Sequence, residues 1–256
     1  VVGAGQSCGS RSVRDVRTQP PNDLTIPEPY ERPSVRRQYD RGPRKELQTI
    51  HWNGIDLVPV NRDTYLEHPS VTHRHETEDQ RIKLDNMIQI IKGSVHAPKP
   101  IDNFDETAFP EWMLSALRGK GFLRPTAIQV AAWPAAMSGC DVVGISETGS
   151  GKTLAYILPM VLHILGQDCL KPGEGPVGLV LLPTRELCTQ VVDEVQSICC
   201  SQPELVCRGI IGGEDSRSQD TQLCARCDII VATPGRLIDF LDSGVTNLRR
   251  VTYLVM

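Results

Sequence analysis

The chain has 256 residues, 40% of them apolar and 23% charged, with a formal net charge of −4. That describes one large domain, or one domain with an extension, with enough apolar side chains to form a core. No apolar run approaches the roughly 18 residues of a membrane span, Val1 to Arg17 lacks the charged-then-apolar order of a secretion signal, and nine scattered cysteines, an odd number, point to reduced thiols of the cytosol or nucleus and away from a disulfide framework.

Residues 1–46 are rich in Gly, Ser, Pro and Arg with little apolar periodicity, so they are expected to be mostly disordered. Val1-Val2-Gly3-Ala4-Gly5 has part of a dinucleotide fingerprint but lacks its third Gly and a preceding strand. Arg32, Arg36, Arg37, Arg41, Arg44 and Lys45 form a basic arm, set against Glu31 and Asp40. Such an arm either binds phosphate backbones without sequence preference or is a solvated tail, and the residues leave both readings open.

Residues 47–100 form an intermediate extension and linker. Leu47, Ile50, Trp52, Ile55, Leu57, Val58 and Val60 are apolar enough to pack on a neighbour, and Thr77 to Ile91 has helical character. His96-Ala97-Pro98-Lys99-Pro100 is extended, because proline disfavours helix in the residue before it.

From Ile101 onward the chain alternates between helical and strand patterns. Helices are expected over Pro110–Arg118, from Pro125 at a first turn to near Gly139, over Lys152–Leu165 with a bend at Pro159, over Glu186–Cys200, and after Thr233-Pro234. Strands are expected at Asp141–Ile145, Val177–Leu182, Leu205–Ile211, Asp228–Val231 and Val251–Met256. This order predicts an α/β fold with a mostly parallel sheet flanked by helices.

The chemistry concentrates in Ser146-Glu147-Thr148-Gly149-Ser150-Gly151-Lys152-Thr153, between an expected strand and an amphipathic helix. Glycines let backbone N–H groups close around phosphates, and the helix adds the positive end of its dipole. Lys152 suits the β and γ phosphates of a nucleotide, and the Thr153 hydroxyl suits Mg2+. Upstream, Gln129 in Gly121-Phe122-Leu123-Arg124-Pro125-Thr126-Ala127-Ile128-Gln129 can pair with adenine N6 and N7, and Phe104 can stack on a base; taken alone, each is an ordinary helix or core residue. Pro183-Thr184-Arg185-Glu186-Leu187, Gly212-Gly213 and Thr233-Pro234-Gly235-Arg236 each follow an expected parallel strand, at the edge where open α/β sheets bind ligands. Their hydroxyls, guanidinium groups and free N–H groups suit a phosphate chain, although Gly and Pro also punctuate ordinary turns. Cys224-Ala225-Arg226-Cys227 has the spacing of a metal or redox pair but no second pair at zinc-ribbon spacing; its plainer reading is two small apolar residues leading into a strand.

These pieces, in this order, resemble the first RecA-like domain of the DEAD-box RNA helicases, from about Phe104 to Met256. Upstream, Tyr65-Leu66-Glu67-His68-Pro69 and Pro98-Lys99-Pro100-Ile101 look like the extension of a large eukaryotic subgroup. The resemblance implies an ATP- and Mg2+-dependent enzyme that remodels RNA without reading its sequence. It implies that Phe104, Arg124 and Gln129 meet adenine, and that Ser146, Glu147, Thr148, Gly149, Ser150, Gly151, Lys152 and Thr153 hold phosphates and metal. Pro183, Thr184, Arg185, Gly212, Gly213, Thr233, Pro234, Gly235 and Arg236 then line one RNA strand, gripped by its backbone and 2′-hydroxyls. Nucleus and cytoplasm both remain open, the nucleus slightly ahead, and no membrane partner is implied.

Three departures stand out: Ser146 where the family usually has Ala, Cys188 where it has Ala, and Arg226 where Gly is common. A fourth is larger. The Asp-Glu-Ala-Asp box would begin just after Met256, so the chain is expected to be an N-terminal piece of a helicase, inactive alone, with unpaired edges at Asp141–Ile145 and Val251–Met256 that invite aggregation. The alternatives are a non-catalytic nucleotide- or RNA-binding module ending at Met256 and a P-loop ATPase acting on DNA or protein; the Gln129 segment with Phe104 argues against the latter.

Overall fold

The structure, a computed structural model, describes residues 58–62, 64–90, 98–171, 173–212 and 226–256. The basic arm, the first part of the extension, Gly213 and Cys224 lie outside the described residues.

Strand β1 (Gly178–Leu181), β2 (Cys207–Ile210), β3 (Ile229–Ala232) and β4 (Tyr253–Val255) form one parallel sheet in the order β2-β3-β1-β4. Gly178 pairs with Ile229 on one side and Tyr253 on the other, and Cys207 pairs with Ile229. β3 is buried along its whole length, as its unbroken Ile-Ile-Val-Ala run requires of a central parallel strand. Around the sheet stand α3 (Glu111–Gly119), α4 (Ala127–Met137), α5 (Lys152–Leu165), α6 (Arg185–Ile198) and α7 (Pro234–Asp242), preceded by α1 (Pro69–Thr72), α2 (Glu76–Asp85) and a 3-10 turn at Phe104–Glu106. The larger core layer joins Trp133, Ile157, Leu158 and Val161 to Val180, Val195 and Val231. A second layer joins Leu179, Ile210 and Ile230 to Leu237 and Phe240 of α7.

One expected element is absent. Asp141–Ile145 forms no ladder, and Val143 and Ile145 are 92% and 85% exposed. A strand is held by a neighbour's N–H and C=O groups, and no described strand pairs with this segment. β4 likewise has β1 on one side only.

α5 runs as one helix through Pro159. Near its start the Trp133 indole donates to the Leu154 carbonyl at 3.0 Å, fastening α4 to α5. The proline of α4 redirects a backbone bond. Pro134 cannot donate to the Val130 carbonyl, and the Ile101 N–H takes that acceptor at 3.2 Å. Pro125 was expected at the first turn of α4 but precedes the cap; Thr126 is the N-cap because its hydroxyl and Gln129 close a capping box.

The extension is built into the domain. Asn61 and Gln167 exchange two hydrogen bonds of 3.1 and 2.8 Å, and Thr64 donates its N–H and hydroxyl to the Met137 carbonyl. Val71 is fully buried in the larger core. Lys99 Nζ donates to the carbonyls of Val71, Thr72 and Arg74 at 3.2, 3.0 and 2.8 Å, collecting acceptors at the end of α1. Arg226 also finds its reason: its guanidinium donates twice to Asp228 Oδ1, at 3.2 and 3.0 Å, while the other oxygen of that buried carboxylate accepts from the Val206 N–H.

Candidate functional site

The Ser146–Thr153 loop precedes the fourteen-residue helix α5, with Gly151 as its N-cap. Gly149 and Gly151 have φ of +77° and +89°, a region that L side chains rarely adopt. At Gly151 the space is closed as well, since a Cβ would lie 2.6 Å from Gln129 Nε2 and 2.9 Å from Thr126 Oγ1. The Lys152 ammonium donates to the Ser146 and Glu147 carbonyls at 2.6 and 2.7 Å, so it already lies across the loop. Ser146 Oγ lies 2.7 Å from Ser150 Oγ, which gives the first departure a structural use: an alanine there could not brace the loop. Glu147, Thr148 and Gly149 are exposed.

Gln129 is 4% exposed and both ends of its amide are engaged. Its Oε1 accepts from the Thr126 N–H at 2.9 Å, and its Nε2 donates to the Gly151 carbonyl at 3.0 Å. It is thus a strut between the start of α4 and the glycine that starts α5. Thr126 is a partner that sequence reasoning passed over, although a Thr followed three residues later by Gln is a capping-box spacing.

Phe104 does not stand free. Its ring is 6% exposed and packs in the core, 6.1 Å from the Trp133 centroid, so in this conformation it offers no open face for a base. The physical reason is apolar burial: the 3-10 turn carries the ring inward beside Phe109 and Trp133. Arg124 is exposed, with its guanidinium 4.0 Å from the Asp102 carboxylate, which sets the Gln129 segment beside the turn carrying Phe104. Thr153 is half-buried at the base of α5, and Tyr156, one turn on, has its hydroxyl pushed up in pKa by burial against a hydrogen bond to Thr153 that pulls it down.

A second cluster lies at the C-terminal ends of β1, β2 and β3. Pro183, Thr184, Arg185, Gly212, Thr233 and Arg236 share an open cavity of about 480 Å³ with Glu186 and Asp239. The Arg185 guanidinium lies against Gly212, where a Cβ would come within 3.3 Å of it. Thr184 caps α6 by accepting from the Leu187 N–H at 3.3 Å, and Arg236 stacks over the Phe240 ring at 4.6 Å. Pro234 and Gly235 are exposed at the start of α7. Glu186 belongs to the Pro183–Leu187 run noted in the sequence, whereas Asp239 was not singled out; it follows Arg236 by three helical residues, a spacing that puts both on one face.

The buried cysteines are held as thiols. Burial pushes Cys199 and Cys227 up to about 12, and Cys188, on α6, is raised for the same reason. Cys188 is fully buried in the core, filling the place of the small residue expected there. Cys227 Sγ lies 3.2 Å from the Ile229 carbonyl, while its spaced partner Cys224 is outside the described residues. Among the described residues no three His, Cys, Asp or Glu side chains gather in a way that could hold a metal. No described helix is long and apolar enough to cross a membrane.

Comparison with known proteins meets this geometry. The family model "DEAD/DEAH box helicase" matches residues 126–256, just over half of the chain. The chain is 45% identical over 207 residues to the ATP-dependent RNA helicase DBP2 of Mycosarcoma maydis and 45% identical over 211 residues to dbp2 of Neurospora crassa, covering 81% and 82% of this chain. It spans 37% of the length of each of these relatives. Among solved structures, the yeast DEAD-box splicing factor Prp28 superposes with a TM-score of 0.65 at 28% identity, covering 73% of this chain and 44% of that one. The RNA helicase Prp28 from Chaetomium thermophilum bound to ADP superposes with a TM-score of 0.64 at 32% identity, over 73% of this chain and 46% of that one. With a parallel sheet, a glycine loop capping α5, and a cavity at the strand ends, this chain belongs to the DEAD/DEAH box helicase family.

Proposed function

We propose that the chain is the nucleotide- and RNA-engaging part of an ATP-dependent RNA helicase. The observation that carries the reading is the Gln129–Gly151–Lys152 arrangement, in which a purine-matching amide, a left-handed glycine and a lysine meet at the start of one helix. The relatives named as ATP-dependent RNA helicases, and the ADP-bound helicase among the structural neighbours, support it.

The loop chemistry fits a triphosphate. The Lys152 ammonium, now donating to two loop carbonyls, would exchange them for phosphate oxygens, and the loop N–H groups and the α5 dipole favour the same charge. Mg2+ would be held by the Thr153 hydroxyl and the phosphates themselves, as suits an ion that takes few protein ligands. When bound, the metal neutralises charge on the phosphates. Gln129 would orient adenine while its bond to Gly151 fixes the turn; Arg124 would flank the base, with Phe104 packed in the core behind it.

The strand-end cavity would take RNA. Arg185 and Arg236 supply charge, while Thr184, Thr233 and the N–H groups at Gly212 and Gly235 supply donors for phosphates and 2′-hydroxyls. A site of this composition grips backbone and reads little sequence. Glu186 and Asp239, which line the same cavity, would limit how much anionic strand it accepts. Duplex remodelling in the nucleus or cytoplasm is the process this would serve. A non-catalytic binding module is less favoured, because the relatives at 45% identity are named as helicases.

RNA-stimulated ATP hydrolysis by the whole protein tests the proposal, with Lys152→Ala as the comparison. Turnover that rises with added RNA and vanishes in the variant supports it. RNA-independent turnover, or none in the unaltered protein, overturns it.

A further inference from the structure

We propose that Arg74, in the extension, is a positioning residue for the base side of the nucleotide site, an inference that rests on the nucleotide reading above. Its side chain is 5% exposed. It pairs with Glu106 Oε1 at 2.5 Å and Asp79 Oδ1 at 3.5 Å and donates to the Pro100 carbonyl at 2.7 Å. One guanidinium thus joins α2, the end of the linker and the 3-10 turn that carries Phe104.

Glu106 passes that hold along the turn. Its second oxygen, Oε2, accepts from the Asp102 N–H at 2.7 Å, its own N–H donates to Asn103 Oδ1 at 3.2 Å, and the Ser70 hydroxyl donates to Oε1 at 3.4 Å. The 101–104 segment then meets α4 at two places, the Ile101 N–H on the Val130 carbonyl and Phe104 against Trp133, and Asp102 lies 4.0 Å from Arg124, just before α4. Arg124 and Gln129 are the base-side residues of the proposed site, so the path from Arg74 ends there.

A buried ion pair is weak evidence for stability, because desolvation offsets much of the attraction. What it does supply is a fixed geometry, and here only the base side receives it. The phosphate loop is held by Lys152, Ser150 and Gln129, with no contact from Arg74. Gln129 alone touches both sides, so loss of the Arg74 hold is expected to fall more heavily on the base than on the phosphates. A residue that merely stabilised the fold would not divide them.

The test compares ADP with inorganic tripolyphosphate by calorimetric titration of the chain carrying Arg74→Met, Arg74→Lys or Glu106→Gln. Arg74→Met is expected to weaken ADP by about tenfold, the scale of a lost charge-assisted contact, while tripolyphosphate binds as before. Arg74→Lys should recover part of the loss, since one ammonium replaces a fork that serves three acceptors. Should Arg74→Met not fold, Glu106→Gln keeps the volume and removes the charge, and it should show the same ADP-selective loss. Unchanged ADP affinity in the folded variants, or equal loss of both ligands, overturns the inference and leaves the nucleotide reading standing. If the unaltered chain takes up neither ligand, the nucleotide reading itself falls and this inference with it.

Discussion

Gln129 Nε2 donates to the Gly151 carbonyl at 3.0 Å, so the residue matched to adenine also holds the glycine that starts the phosphate-loop helix. Its other amide atom closes the cap of α4 on the Thr126 N–H. In the proposed site, base recognition and loop geometry share one side chain. Gln129→Ala should lower stability by about 1–2 kcal/mol, chiefly through the lost cap, since the Gly151 carbonyl keeps the Ala155 N–H. It should weaken tripolyphosphate as well as ADP. Titration of the variant with both ligands checks this, and a loss confined to ADP would show that Gly151 keeps its place without the strut.

Trp133 is the second tie between α4 and α5. Trp133→Phe keeps most of the ring volume and removes the N–H that reaches the Leu154 carbonyl. The Leu154 carbonyl keeps the Leu158 N–H of its own helix, so the cost is that of one further hydrogen bond, about 0.5–1.5 kcal/mol. Chemical denaturation should show a midpoint shift of that size with an unchanged slope, and no shift would mean that the indole bond adds nothing to the tie between α4 and α5.

His163 makes the fold sensitive to mild acid. It is buried on α5, Nε2 lies 2.8 Å from Thr252 Oγ1, its ring meets Tyr253 of β4, and Gln167 lies on its other nitrogen. Burial, helped by the Arg62 charge, holds its pKa below the ordinary 6.5. The unfolded chain then binds the proton more readily than the folded one, so stability is complete above about pH 6.5 and falls as pH drops below it. His163→Gln should flatten the dependence of melting temperature on pH between about 5 and 7.

Glu106 acts in a lower window. Burial alone would raise its carboxyl, but Arg74 and the Asp102 N–H outweigh that and hold it below the ordinary value of 4.5. Its contribution is present above that value and is lost as pH falls through the depressed one. Glu106→Gln should therefore shift the acid limb of the stability curve and leave the region above pH 5 nearly flat.

At the strand ends, Arg185→Ala should weaken RNA binding across sequences and reduce the salt slope by about one unit. Fluorescence anisotropy with unrelated single strands at several salt concentrations measures both. Gly212→Ala crowds the same guanidinium and should act in the same direction with a smaller effect. A loss that depends on base sequence would contradict backbone recognition.

Local rules made much of this legible. The fourteen residues of α5 carry a glycine before them and an apolar stripe along them, and the structure has them as read. The C-terminal ends of β1, β2 and β3 gather Thr184, Arg185, Gly212, Thr233 and Arg236 because parallel strands put successive loops on one edge. What stayed hidden is non-local. Asp141–Ile145 is apolar enough for a strand, yet a strand needs a partner that its own sequence cannot reveal. Phe104 offers the same aromatic ring to a base or to a core, and Trp133 decides for the core here. Arg74 and Glu106 are thirty-two positions apart, and no spacing rule connects them.

Calorimetric titration of the chain with ADP and Mg2+, beside Lys152→Ala, tests the central claim most directly. The account predicts saturable uptake by the unaltered chain and its loss when the ammonium at the start of α5 is removed. No uptake by the unaltered chain, or equal uptake by both, would contradict it.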